Sequence, residues 1–243
     1  MCTVVVSLQP LNPVPLLILG VRDELISRPW RMPARHWPGS PLIGGLDEQA
    51  GGTWLAVHPG IPRVACVLNG RGEPAPPAIR KSRGELPLRA AAEGEPALTE
   101  LCEALEPFDP FHLVRADKDT VSLLSWDGQK AADQALAPGT HIITNAGINQ
   151  ADPRAEYFGP KFAASRPSGD PESDLNTAWG QWLTLIEGDG LPATDPRAIR
   201  VRKELPDGRI WGTTSVSLVA LARSGLRYDF QPVPGVIQPV STT

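Results

Sequence analysis

Met1-Cys2-Thr3-Val4-Val5-Val6-Ser7-Leu8 opens the chain, and Leu16-Leu17-Ile18-Leu19-Gly20-Val21-Arg22-Asp23-Glu24 follows across Gln9–Pro15. The first run is rich in β-branched residues and reads as a strand. Prolines at 10, 13 and 15 make the connection a turn, and the pair predicts a hairpin. Leu16–Leu19 shows no apolar/polar alternation, which predicts a strand buried on both faces. A strand covered twice belongs to a sheet with layers on either side. Cys2 stands at the head of this hairpin. With Met1 removed, as the small Cys2 side chain predicts, one residue carries a thiol and a free α-amine, a nucleophile joined to a candidate base. Their reference pKa values of about 8.5 and about 7.7–8.0 lie close to neutrality before any tuning.

Further along, 53–58 and 63–68 predict a second hairpin turning at Pro59-Gly60, after a polar, proline-rich excursion over 27–52. Ser82 and Glu85 have capping-box spacing ahead of a helix to Ala92, and Pro96 opens a second helix through Leu105. Strands are predicted at 111–116, 120–126 and 141–144. Residues 165–174 read as a loop, and Trp179, Trp182, Leu183 and Ile186 sit at helical spacing. A last hairpin joins 216–222 to 226–230, and 231–243 reads as a loosely held tail. Strand hairpins on both sides of a helical pair, with strands apolar on both faces, predict an α+β fold. It is a four-layer αββα sandwich of antiparallel sheets in one domain over 1–243.

A formal charge of −4 gives no electrostatic case for nucleic acid. The 27 prolines and 23 glycines argue against a helical bundle. Three cysteines cannot all pair within the chain and point to a reducing compartment. With no basic leader and no apolar run of about 18 residues, a cytoplasmic protein without a transmembrane segment is expected. Cys66, in an alternating strand, and Cys102, on one helical face with Leu98, Leu101 and Leu105, read as core. The four histidines lack ligand spacing, so no metal and no cofactor are expected.

Charged and amide side chains gather at strand ends. Arg22, Asp23 and Glu24 close the second strand, beside the strand that Cys2 begins. A guanidinium favours a thiolate, and a carboxylate can orient an ammonium. Asn69 and Asn145 each follow a strand, and a side-chain amide offers N–H donors suited to an oxyanion. Strand ends in one sandwich open at a common rim, so Cys2, Arg22, Asn69 and Asn145 are expected to meet in one pocket.

Taken in order, Met1-Cys2, Gly20–Glu24, Gly51-Gly52-Thr53-Trp54-Leu55-Ala56-Val57, Leu68-Asn69, Ser82-Arg83-Gly84-Glu85-Leu86, Phe111–Val114, Ile143–Ala146 and Gly212-Thr213 resemble the transport and Golgi organisation protein 2 family, named for an Asn-Arg-Asp-Glu motif. That family is similar to the cysteine N-terminal-nucleophile hydrolases, amide-cleaving αββα enzymes such as penicillin V acylase and bile salt hydrolase. The resemblance implies Cys2 as nucleophile, Asn69 as oxyanion donor and Asn145 as a second active-site amide. It further implies Arg22 and Asp23 beside them, with Glu24 competing for the amine-facing role, and Arg83 and Thr144 as substrate contacts. Two departures stand out: Val21 replaces the motif's asparagine, and Thr214 stands where an arginine usually follows Gly-Thr.

Two functions remain open at this level. One is an N-terminal cysteine amidohydrolase acting on a linear, non-peptide amide. The other is a non-enzymatic protein that binds or carries haem or lipid in the same cavity.

Overall fold

Thr3–Leu8 (β1) and Leu16–Leu25 (β2) pair antiparallel, with Thr3 opposite Val21 and Leu8 opposite Leu16. All of β1 and the first eight residues of β2 are buried, as an unalternating apolar run requires. The computed structural model describes residues 3–93, 104–148 and 151–242. Cys2 and Cys102 therefore lie outside the described residues, as does most of the helix predicted over 96–105.

Two seven-stranded antiparallel sheets make up the middle of the molecule. One runs β3 (Trp30–Ala34), β4 (Ile43–Asp47), β5 (Leu55–His58), β6 (Arg63–Asn69), β7 (Phe111–Asp117), β8 (Val121–Trp126) and β9 (Ala131–Ala135), in sequence order. The other contains β10 (Gly139–Thr144), β1, β2, β12 (Ile210–Leu221), β13 (Leu226–Pro232) and β14 (Gln238–Pro239), with β11 (Arg202–Glu204) paired to β12. The opening hairpin is central in its sheet, between β10 and β12.

Alternation along the strands assigns each side chain to one of three apolar layers. Val4, Val6, Leu16 and Ile18 meet Leu55, Cys66, Leu68 and Leu123 between the sheets. On the far side of the first hairpin, Val5, Leu17, Leu19 and Val21 pack on Phe158, Phe162, Trp179 and Trp182. These come from three helices, α2 (Pro153–Ala164), α3 (Leu175–Trp179) and α4 (Trp182–Ile186). The outer face of the other sheet buries Ala65, Val67 and Leu113 against Leu86 and Ala90 of α1 (Glu85–Glu93). Each fully buried aliphatic side chain is worth about 1.5–3 kcal/mol. The arrangement is helix, sheet, sheet, helix: the predicted αββα sandwich.

Several local readings change. The excursion over 27–52 contains β3 and β4, hidden from sequence because β3 is mostly exposed, holds Pro33 and shows no alternation. β9, Ala-Ala-Asp-Gln-Ala, is exposed throughout and is held by its backbone ladder to β8. The tryptophan-bearing segment breaks into α3 and α4 at Gly180, whose φ of 47° suits glycine. Helix α2 was not anticipated, although Asp152-Pro153 is a start signal. The Asp152 carboxylate caps the N–H groups of Arg154 and Ala155 at 3.0 and 3.1 Å, with proline at the first helical position. Among the described residues, no helix is long and apolar enough to cross a membrane.

Candidate active site

Beyond Gly20, β2 leaves the apolar layers, and its pleat sends Arg22 and Asp23 to opposite faces. Arg22 enters the space between the sheets and is 3% exposed. Its guanidinium lies 4.5 Å from the Trp54 ring centroid and 3.6 Å from the Asp47 carboxylate, which Arg28 also engages at 2.7 Å. A desolvated contact with an aromatic face is worth about 2 kcal/mol. The register with β12 shifts between Thr213 and Ser215, so Thr214 is the extra residue of a bulge beside Arg22. The Thr214 hydroxyl accepts from Arg22 at 2.8 Å and reaches the Arg22 carbonyl at 3.1 Å. The residue that departs from the expected arginine thus fixes the arginine already present.

Asp23 faces the helices. Its carboxylate accepts from the Thr213 hydroxyl at 2.6 Å and from Arg154 of α2 at 3.4 Å. The same Arg154 nitrogen donates to Thr3 at 2.6 Å. Thr144, which pairs with Thr3 across the ladder, donates to Asp152 at 3.0 Å. A closed set of charged and hydroxyl groups therefore surrounds the start of β1, and the elements that supply it are β2, β10, β12 and the N-terminus of α2.

Two clefts open at this rim, one on each side of β2. The cleft on the helix side, about 690 Å³, is lined by Asp23, Thr144, Asn145, Asp152, Arg154 and Trp211 among others. The cleft on the other side, about 600 Å³, takes in Arg22, Glu24, Trp54, Asn69 and Arg83. The structure thus brings Arg22, Asn69 and Arg83 together, and separately Asp23, Thr144 and Asn145. Glu24 turns back to accept from the Leu25 N–H at 2.8 Å.

His112 links the two groups. It stands at the start of β7, one residue past Phe111, which pairs with Asn69. Its ring hydrogen-bonds the backbone of Asn145, and Nδ1 lies 2.8 Å from the Ser125 hydroxyl. Burial pulls its pKa below the ordinary histidine value, with the Asn145 contact opposing. Burial likewise pushes the Cys66 thiol up to about 12, which makes it an inert core residue.

Arg154, Asp152, Asp47 and Arg28 had no part in the sequence reading, and His112 entered it only as a histidine without ligand spacing and within the Phe111–Val114 block. Asp47 and Arg28 lie in the excursion read as irregular, and Arg154 in the unanticipated helix. Only the Asp-Pro helix start could have pointed to any of them.

Layer order and strand pairing define a four-layer αββα sandwich, the fold of the N-terminal-nucleophile hydrolases. A solved structure of a Caenorhabditis elegans N-acylethanolamine-hydrolyzing acid amidase ortholog has this fold, with a TM-score of 0.55 at 12% identity over 93% of this chain and 98% of that chain. The family model described as Transport and Golgi organisation 2 matches residues 1–223, and the chain belongs to that family. No curated protein matches it.

Proposed function

We propose that the chain is an N-terminal cysteine amidohydrolase that cleaves a linear, non-peptide amide. The observation that carries this reading is the polar set closing around the start of β1, where Thr3 lies between Val21 and Thr144. The residues one step further on the flanking strands are Arg22 and Asn145. Thr3 reaches Arg154 on the helix side and Val4 faces the intersheet core.

In this reading the neutral α-amine of Cys2 takes the thiol proton, and Arg22 stabilises the thiolate. The thiolate attacks the amide carbonyl, and the Asn69 side-chain amide donates to the oxyanion. A donor of this kind is worth about 10²–10³ in rate. The ammonium returns its proton to the departing amine as the C–N bond breaks, leaving a thioester. Water, deprotonated by the same amine, then releases the acid and restores the thiol. Asp23, held by Thr213 and Arg154, orients the ammonium. Asn145, tied to His112, keeps the wall of the site in register with the sheet that carries Asn69.

A panel of linear amides turned over by the native chain tests this. Cys2→Ala is expected to lower kcat/KM by about 10⁴-fold or more, with the acyl group trapped on Cys2 seen by intact mass in the wild type. Absence of turnover together with spectroscopic binding of haem supports the carrier reading instead.

A further inference from the structure

The intersheet cleft holds five cations, Arg22, Arg28, Arg80, Lys81 and Arg83, against three carboxylates, Glu24, Asp47 and Asp109. This excess lies in a chain whose overall charge is −4. The carboxylates are committed elsewhere. Asp47 bridges Arg28 and Arg22, Asp109 holds Arg80 at 3.1 Å and the Ala75 N–H at 3.0 Å, and Glu24 accepts from Leu25. Arg83 and Lys81 have no carboxylate within ion-pair distance among the described residues.

Arg83 is the informative one of the two. Burial pulls its pKa below the ordinary arginine value, partly offset by the charges of Asp109 and Glu24. One nitrogen donates to the Pro110 carbonyl at 2.7 Å, and no other side-chain bond is formed among the described residues. A partly desolvated guanidinium with one neutral acceptor is costly. Yet the backbone is built to keep it there. A Cβ on Gly52 would lie 2.5 Å from the Gly84 carbonyl carbon, so position 52 must be glycine for the two turns to meet, and a Cβ on Gly84 would be tight at 3.1 Å from the Gly52 Cα. The Gly84 carbonyl accepts the Thr53 N–H at 2.9 Å, and the Ser82 hydroxyl accepts the Gly84 N–H at 3.1 Å. Ser82 thus accepts an N–H of the turn that leads into α1, which starts at Glu85. Two separate sequence blocks, Gly51–Val57 and Ser82–Leu86, are thereby locked together with Arg83 facing the cleft.

We propose that Arg83, assisted by Lys81, forms a carboxylate-binding subsite, and that the ligand of this cleft is an amide carrying a carboxylate. The planar guanidinium fork matches a carboxylate in two-point geometry, which an ammonium does not. Trp54 and Val67 line the same cleft and supply an apolar wall for the chain between amide and carboxylate. The carboxylate can belong to the acyl part or to the amine part. This assignment rests on the amide reading of the site, but binding tests it without turnover.

The experiment uses the full chain carrying Cys2→Ala, with affinities measured by calorimetry. Hexanoylglycine is compared with hexanoylglycinamide for a carboxylate on the amine part. N-hexylsuccinamate is compared with N-hexylsuccinamide for one on the acyl part. At least one charged member is expected to bind about 10-fold or more tightly than its neutral partner. Arg83→Gln is expected to remove that preference, so that charged and neutral members of each pair bind alike. Lys81→Gln, on an exposed side chain, reduces it about 2-fold. Equal affinities within both pairs, a preference that survives Arg83→Gln in a folded protein, or no binding by any of the four overturns the subsite. Loss of amide turnover in the wild type with the charge preference intact overturns the hydrolase reading alone.

Discussion

The two faces of β2 at the rim carry similar numbers of charges and use them differently. On the helix side, Asp23 is matched by Thr213 and Arg154, and Thr144 by Asp152, all within 3.4 Å. On the intersheet side, Arg22 is held by Thr214, Asp47 and Trp54, while Arg83 has, among the described residues, one carbonyl partner. The first face is a scaffold, since its charges neutralise one another and tie α2 to three strands. The second holds cations in reserve. A buried charge answered by its neighbours is held in a fixed place, as Asp23 and Arg22 are, and one left with a neutral acceptor is available to a ligand.

Removing a partner from the scaffold breaks the comparison most severely. Asp23→Ala leaves Arg154 and the Thr213 hydroxyl without their carboxylate, and a loss of about 3–5 kcal/mol is expected in urea denaturation. Arg83→Gln by the same measurement should change stability by less than about 1 kcal/mol. Equal losses would erase the distinction between the two faces.

Next in size is Gly52→Ala. Its methyl group meets the Gly84 backbone, and overpacking of this kind costs about 1–3 kcal/mol, read as a lower Tm. Because it also shifts Arg83, the charged-over-neutral preference should fall with it. Thr214→Val sharpens the reading of Arg22. Losing the hydroxyl that holds the guanidinium costs about 1–2 kcal/mol, and thiol labelling of Cys2 near neutral pH should slow.

The smallest effect is a pH dependence. Burial holds the His112 pKa below the ordinary histidine value of about 6.5 in the fold, so the unfolded chain takes up a proton that the folded one resists. Its contribution is therefore present above about pH 6.5 and is lost as the pH falls toward the lower, folded value. The stability of His112→Gln between about pH 7 and pH 5.5 should fall less steeply than that of the wild type. An unchanged slope would remove His112 from the link between Asn145 and Ser125.

Strong periodicity made the opening hairpin, β6, β7 and the closing hairpin legible from residues alone, and with them the sandwich. β3, β9 and α2 were not legible, for two reasons. β3 and β9 are mostly exposed strands held by ladder hydrogen bonds, which leave no apolar pattern, whereas α2 buries only Phe158 and Phe162, one turn apart, in an otherwise polar and proline-interrupted stretch. The site divides the same way. Arg22, Asp23, Asn69 and Asn145 end strands that the pattern located, whereas Arg154, Asp47 and His112 reach the rim from elements far away in sequence.

The amino-acid sequence by itself determined the layered fold and family and placed a cysteine at the head of a doubly covered strand. It did so because local patterning fixes which faces must be buried. Only the tertiary structure decided that Arg22 and Asp23 part to opposite sides of β2. It alone decided that Thr214 anchors Arg22 from a bulge, and that the Gly52–Gly84 contact brings Arg83 to an intersheet cleft where, among the described residues, no carboxylate lies within ion-pair distance of it. Those outcomes depend on pleat, register and backbone contact between segments distant in the chain, and such distances are set only when the sheets close on one another.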